Sequence, residues 1–127
     1  MIRKGKSRAG DNFKTDRWIL SMFENWFDPC PYNPNFDIDG LNVEWVGNVF
    51  VNPPYSNVTP WIKRAIDHHN KTGHTVVMLL KHDSSTKWFR LIHENGGHIL
   101  MVAGRLKHQR KGCSSFPSIL CVFQDRE

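Results

Sequence analysis

Thr75-Val76-Val77-Met78-Leu79-Leu80 is the stretch that most restricts what this chain can become. It has no charge and no apolar–polar alternation, so a strand here carries apolar side chains on both faces and needs cover on both. The neighbouring patterns supply that cover. Upstream, Thr59-Pro60 opens a helix whose apolar face is Trp61, Ile62, Ala65 and Ile66, with threonine as cap, proline in the first turn and Gly73 as the stop. Downstream, Ser84-Ser85-Thr86 caps a helix bearing Trp88, Phe89, Leu91 and Ile92, which Gly96-Gly97 ends. Asn48 to Asn52 reads as a buried strand before this unit, and His98 to Ala103 as a strand after it. Phe116 to Phe123 is a last strand, antiparallel to its predecessor. Strand-helix-strand-helix-strand order predicts an α/β fold, a mostly parallel sheet with flanking helices and an antiparallel last strand.

The N-terminal third is less regular. Trp18, Ile19, Met22, Phe23, Trp26 and Phe27 follow the one-face helical template, with Thr15 or Asp16 as N-cap. Asp28-Pro29-Cys30-Pro31 ends that helix, and residues 31–42 form a loop holding Asp37, Asp39 and Gly40. A chain of 127 residues makes one domain with one core. No apolar stretch reaches bilayer length and no signal-peptide core precedes the domain, so a cytoplasmic protein, with no membrane partner, is expected. Cys30, Cys113 and Cys121 fit reduced thiols. The seven histidines show no ligand spacing, and adjacent His68 and His69 point about 100° apart on a helix, so no metal is expected.

Charge points to a polyanion. The net charge is +5 and the pI about 9.3, and the basic residues cluster. Arg3, Lys4, Lys6 and Arg8 form a basic flexible arm over residues 1–10, ahead of a single domain at 11–127. Arg105, Lys107, Arg110 and Lys111 form a second cluster, suited to nucleic-acid phosphates.

Chemistry concentrates at Asn52-Pro53-Pro54-Tyr55, a rigid turn at the carboxyl end of a strand, where open α/β sheets place ligands. Asn52 offers a side-chain carbonyl, and Pro53 a backbone carbonyl that a helix cannot easily capture. Tyr55 adds a flat face. Two acceptors and a stacking surface suit a planar ring with an exocyclic amino group; an Asn-Pro-Pro turn with a surface tyrosine is the bland alternative.

These residues resemble those of the small phage-type DNA N-6-adenine-methyltransferase (Dam) family. The matching motifs run in order: Asp11 to Asp16, Asp28-Pro29-Cys30, Asp39-Gly40-Leu41, Trp45, then Asn52 to Ser56. Leu79 to Phe89, Gly104-Arg105-Leu106 and Phe116-Pro117-Ser118 continue the likeness. Thr15-Asp16 departs from the family's Thr-Pro. The resemblance implies a reduced Rossmann-like methyltransferase fold and methyl transfer from S-adenosylmethionine to adenine N6 in double-stranded DNA, with the adenine flipped out. It implies Asn52, Pro53, Pro54 and Tyr55 as catalytic residues. Asp28, Pro29 and Cys30 would bind the cofactor, Asp28 through its methionine ammonium. Thr15, Asp39 (with Asp37 competing) and Phe13 are further cofactor candidates; Phe13 and Trp45 are candidates to flank the adenine ring, with aromatic core packing the more common fate, and Asp83 is a candidate to line the base pocket. Ser56 joins Arg105, Lys107, Arg110 and Lys111 as a nucleic-acid contact.

Asp28 and Asn52 are only 24 positions apart. One strand-helix-strand unit takes about 30 residues, so half of a complete methyltransferase sheet does not fit between them. That shortening leaves room for a catalytically silent DNA-binding or regulatory protein and for a homodimer that completes the site; an RNA adenine methyltransferase is a separate alternative, because the same motif suits any planar amino group.

Overall fold

The computed structural model describes residues 17–31, 39–54, 57–81, 87–106 and 116–124. Its elements are α1 (Arg17–Met22), β1 (Val49–Val51), α2 (Thr59–Thr72), β2 (Val76–Lys81), α3 (Lys87–Glu94), β3 (His98–Leu106) and β4 (Phe116–Phe123). The order expected from Asn48 onward is therefore present. The sheet is not mostly parallel, however. Its lateral order is β1-β2-β4-β3, with β1 parallel to β2 and β4 antiparallel to both of its neighbours. β1, β2 and β3 do share a direction. The returning β4 slots between β2 and β3, so two of the three pairings are antiparallel. Periodicity along a strand encodes its direction of burial, not the neighbour it hydrogen-bonds.

Both faces of the sheet are covered, as the apolar run at Val76–Leu80 requires. One face presents Val49, Val51, Val76, Met78, Leu80, Ile119, Cys121 and Phe123, and packs against Trp61, Ile62 and Ala65 of α2 and Ile92 of α3. The other presents Phe50, Val77 and Leu79 to Ile19, Phe23 and Trp26. Phe23 stacks on Phe50 at 4.7 Å between centroids, nearly parallel, and meets Trp26 edge-on at 5.0 Å. Leu79 is fully buried, so truncating it would cost about 2–5 kcal/mol.

Local signals held in part. α2 ends at Gly73, whose φ of 77° is a left-handed conformation and whose N–H closes on the carbonyl of His69. Its start differs: Val58 is the N-cap, without a side-chain cap bond, and Thr59 is already helical. α1 stops at Met22 rather than reaching Phe27, and turns at Phe23 and Trp26 follow it. Trp18 and Met22 point outward, each about half exposed, whereas Ile19 is buried. The reason lies beyond the turn: Phe27 leaves helical geometry to bridge β1. β3 bulges between Met101 and Arg105, where the register shifts against β4 and Pro117 takes its place. A proline lacks the ladder N–H, and a bulge tolerates that loss. Among the described residues, no helix is long and apolar enough to cross a membrane, and no histidine, cysteine and carboxylate cluster could hold a metal ion.

Candidate active site

The site is assembled at the carboxyl end of β1 by one short parallel bridge. The N–H of Phe27 donates to the carbonyl of Asn48, and the N–H of Phe50 donates to the carbonyl of Phe27, each at 3.0 Å. The chain leaving Phe27 therefore runs with β1. Asp28, Pro29 and Cys30 head toward the end where β1 gives way to Asn52-Pro53-Pro54. A separation of 24 positions in sequence collapses into two adjoining segments. Among the described residues of this stretch, Phe27 makes the bridge to β1.

Asn52 is half-buried, and Pro53 and Pro54 are buried. The N–H of Asn57 closes on the carbonyl of Pro54 at 3.3 Å, which turns the chain toward α2. Tyr55 and Ser56 lie outside the described residues, as do Phe13, Thr15, Asp37, Asp83, Lys107, Arg110 and Lys111. Arg105 is described only in its backbone, opposite Pro117. The segment from 107 to 115 leaves from Leu106 and returns at Phe116, which pair with each other. Since β3 runs the same way as β1, both anchors stand at the Asn52 end of the sheet.

Asp28 is the electrostatic centre of the described site. Its Oδ1 accepts the backbone N–H of Cys30 at 2.9 Å. Burial pushes the carboxyl up to about 6 from an ordinary 3.8, and that hydrogen bond only partly opposes the rise. The carboxylate is thus held where a cation would relieve it. Cys30 is itself core, 6% exposed, with a thiol pushed up to about 12 by burial and then by the neighbouring Asp28 charge. Its contribution here is the N–H that orients Asp28; the thiol is inert.

The turn carrying Asp39 and Gly40 packs directly on this segment. Gly40 is buried, and a methyl group there would overlap the Pro29 carbonyl oxygen and stand 2.7 Å from Cη2 of Trp61. Only glycine permits that approach. Asp39 binds Asn42 twice, through its backbone carbonyl and through Oδ2. Trp45 takes the core-packing alternative: it is 3% exposed and its Nε1 donates to the carbonyl of Gly40 at 2.8 Å.

α2 holds this turn from behind. Arg64 lies over the Trp45 ring at 4.8 Å and reaches the carbonyl of Val43. Buried His68 bonds the carbonyl of Gly47 at 2.8 Å through Nε2. Reading the sequence for metal spacing missed this bracing role, and nothing in the pattern from Arg64 to His68 signals it. Two buried polar atoms among the described residues lack a partner, Nε1 of Trp61 and Oγ of Ser118. Both belong to this end: Trp61 to the first turn of α2, Ser118 opposite the last residue of β2, Lys81. Cavities of about 440 and 530 Å³ open instead at the amino ends of the strands, beside Gly96 and Gly47 respectively.

Residues 30–115 match the family model described as DNA N-6-adenine-methyltransferase (Dam). A DNA N-6-adenine-methyltransferase of Haemophilus phage HP1 is 33% identical over 122 residues, covering 80% of this chain and 69% of that protein. The fold resembles a crystal structure of a putative RNA methyltransferase from Pyrococcus horikoshii, with a TM-score of 0.50 and 16% identity. That likeness covers 68% of this chain and 48% of the other, so the chain spans about half the length of its structural neighbour. On the ordered match across its length, the chain belongs to the DNA N-6-adenine-methyltransferase (Dam) family.

Proposed function

We propose that the carboxyl end of β1 carries methyl transfer from S-adenosylmethionine to N6 of an adenine flipped out of duplex DNA. Family membership makes the chain a DNA adenine-N6 methyltransferase, an enzyme that needs a methyl donor. The observation that carries the assignment to this site is the Phe27–Val49 bridge, which sets Asp28 alongside the segment entering Asn52.

The residues present fit S-adenosylmethionine by the chemistry of their donor set. A partly desolvated carboxylate at Asp28 suits its ammonium, and the buried Trp61 Nε1 is a donor in need of an acceptor. When bound, S-adenosylmethionine supplies an electrophilic methyl group. The protein's share is positioning and electrostatics. An adenine amine is a poor nucleophile because its lone pair is delocalised into the ring. Hydrogen bonds accepted by the Asn52 side-chain oxygen and the Pro53 carbonyl favour a tetrahedral nitrogen and localise that pair. By family resemblance, Tyr55 stacks on the extruded base, Ser56 contacts the nucleic acid, and Thr15, Phe13 and Asp39 complete the cofactor side.

The test is direct. Purified protein with S-adenosylmethionine and DNA should yield N6-methyladenine, read by mass spectrometry of digested nucleosides, with RNA run in parallel. Asn52→Ala should lower the rate by at least about 100-fold, the scale of losing one positioned transition-state contact, with an unchanged folded spectrum. Full activity in that variant would remove Asn52 from the mechanism.

A further inference from the structure

We propose that the indole N–H of Trp61 binds the carboxylate of the methyl donor's amino-acid group, completing with Asp28 a clamp for a zwitterion; this rests on the function proposed above. Trp61 is fully buried, yet Nε1 has no hydrogen-bond partner. Buried indoles normally find one, and a buried donor left unmatched is destabilising. The contrast with Trp45 is informative. Its ring lies 6.4 Å from that of Trp61, and its Nε1 takes the Gly40 carbonyl. The acceptor offered by this turn is therefore already engaged, and Trp61 is left over.

Position selects the ligand group. Gly40 is the point where the Pro29 carbonyl and the Trp61 ring converge, with the Trp61 contact made through Cη2 at the far end of its six-membered ring. Pro29 follows Asp28, whose carboxylate suits an ammonium. In an α-amino acid the ammonium and the carboxylate hang on one carbon. A site that seats the first at Asp28 brings the second within reach of a neighbouring donor, and the indole N–H is a donor that accepts nothing in return. Because the ring is sealed in this state, its acceptor arrives with the bound molecule as the segments around Gly40 adjust.

The experiment uses the five tryptophan indole N–H resonances of the full-length, ¹⁵N-labelled protein. Trp61 is assigned by triple-resonance spectra and by Trp61→Phe. Adding S-adenosylhomocysteine should shift the Trp61 indole proton downfield, whereas 5′-methylthioadenosine, which lacks the amino-acid group, should not. Calorimetry should show Trp61→Phe weakening S-adenosylhomocysteine roughly 10-fold or more, the scale of a hydrogen bond to a charged group, with 5′-methylthioadenosine unaffected. An unmoved Trp61 resonance in protein that binds S-adenosylhomocysteine would overturn the proposal, as a resident water on Nε1 would. So would equal weakening of both ligands, which marks a packing role. If wild-type protein binds neither compound, with or without DNA, the failure lies in the proposed cofactor reading itself. Should Trp61→Phe not fold, the wild-type resonance still decides.

Discussion

Asp28 is placed in conflict with its own stability. Its folded carboxyl titrates near 6 and its unfolded one near 3.8, because burial disfavours the charge. Between those values the folded state holds the extra proton, so the stability from this group is present at low pH and is lost as pH rises through about 6. Replacing it with asparagine removes the charge but keeps an oxygen for the Cys30 N–H. Asp28→Asn should therefore stabilise the free protein at pH 8, by at most roughly 2–3 kcal/mol, and by almost nothing at pH 4. Urea melts at the two pH values check the sign. The same substitution should abolish S-adenosylmethionine binding. In the wild type, affinity for that cation should fall roughly tenfold per pH unit below 6, since binding must then expel a proton. A variant that is more stable and cannot bind would separate the two roles of one carboxylate.

At the scale of elements, the Asp39-Gly40 turn is the part with least tolerance. Any side chain at Gly40 drives into the Pro29 backbone and the rigid Trp61 ring, so the turn must lift away from the segment holding Asp28. Gly40→Ala should cost about 1–3 kcal/mol as overpacking does, and should weaken cofactor binding more than it weakens DNA binding. Thermal melts and paired titrations read both effects. Much at this scale is legible in the sequence. The burial of Val76–Leu80, the stop at Gly73 and the strands at Val49–Val51 and Phe116–Phe123 follow from local pattern, because burial and turn chemistry are written residue by residue. The insertion of β4 between β2 and β3 is not legible, since lateral order depends on which edges are left open after collapse. Nor is the early end of α1: six apolar residues at helical spacing read as a longer helix, yet Phe27 gains two backbone hydrogen bonds by joining β1. In the candidate site, the closeness of the Asp28 segment to the one entering Asn52 is not legible either, because the Phe27–Val49 bridge joins residues far apart in sequence. Trp45 as a brace and Trp61 as an orphan donor depend on contacts between separate segments, which spacing does not contain.

At the scale of the whole molecule, the topology gathers chemistry at one pole. β1, β2 and β3 share a direction, so the segments following each of them leave from the Asn52 end. One of these, running from 107 to 115, carries Lys107, Arg110 and Lys111 on a chain of net charge +5. Its anchors, Leu106 and Phe116, stand at that same pole, and the function proposed for Asn52 makes the three cations of this segment the phosphate contacts to test first. Each phosphate they neutralise releases counterions, so the logarithm of DNA affinity should fall with that of salt by about 0.9 per contact. Replacing all three with glutamine should therefore flatten the measured slope by roughly 3 while leaving S-adenosylhomocysteine affinity unchanged. Fluorescence anisotropy over a salt series gives the slope, and calorimetry gives the cofactor control. An unchanged slope would move the phosphate contacts elsewhere, to the basic residues Arg3 to Arg8 at the other end of the sequence. Deleting residues 1–10 should then flatten the slope by about 0.9 for each phosphate contact removed, because the slope counts the counterions those contacts release.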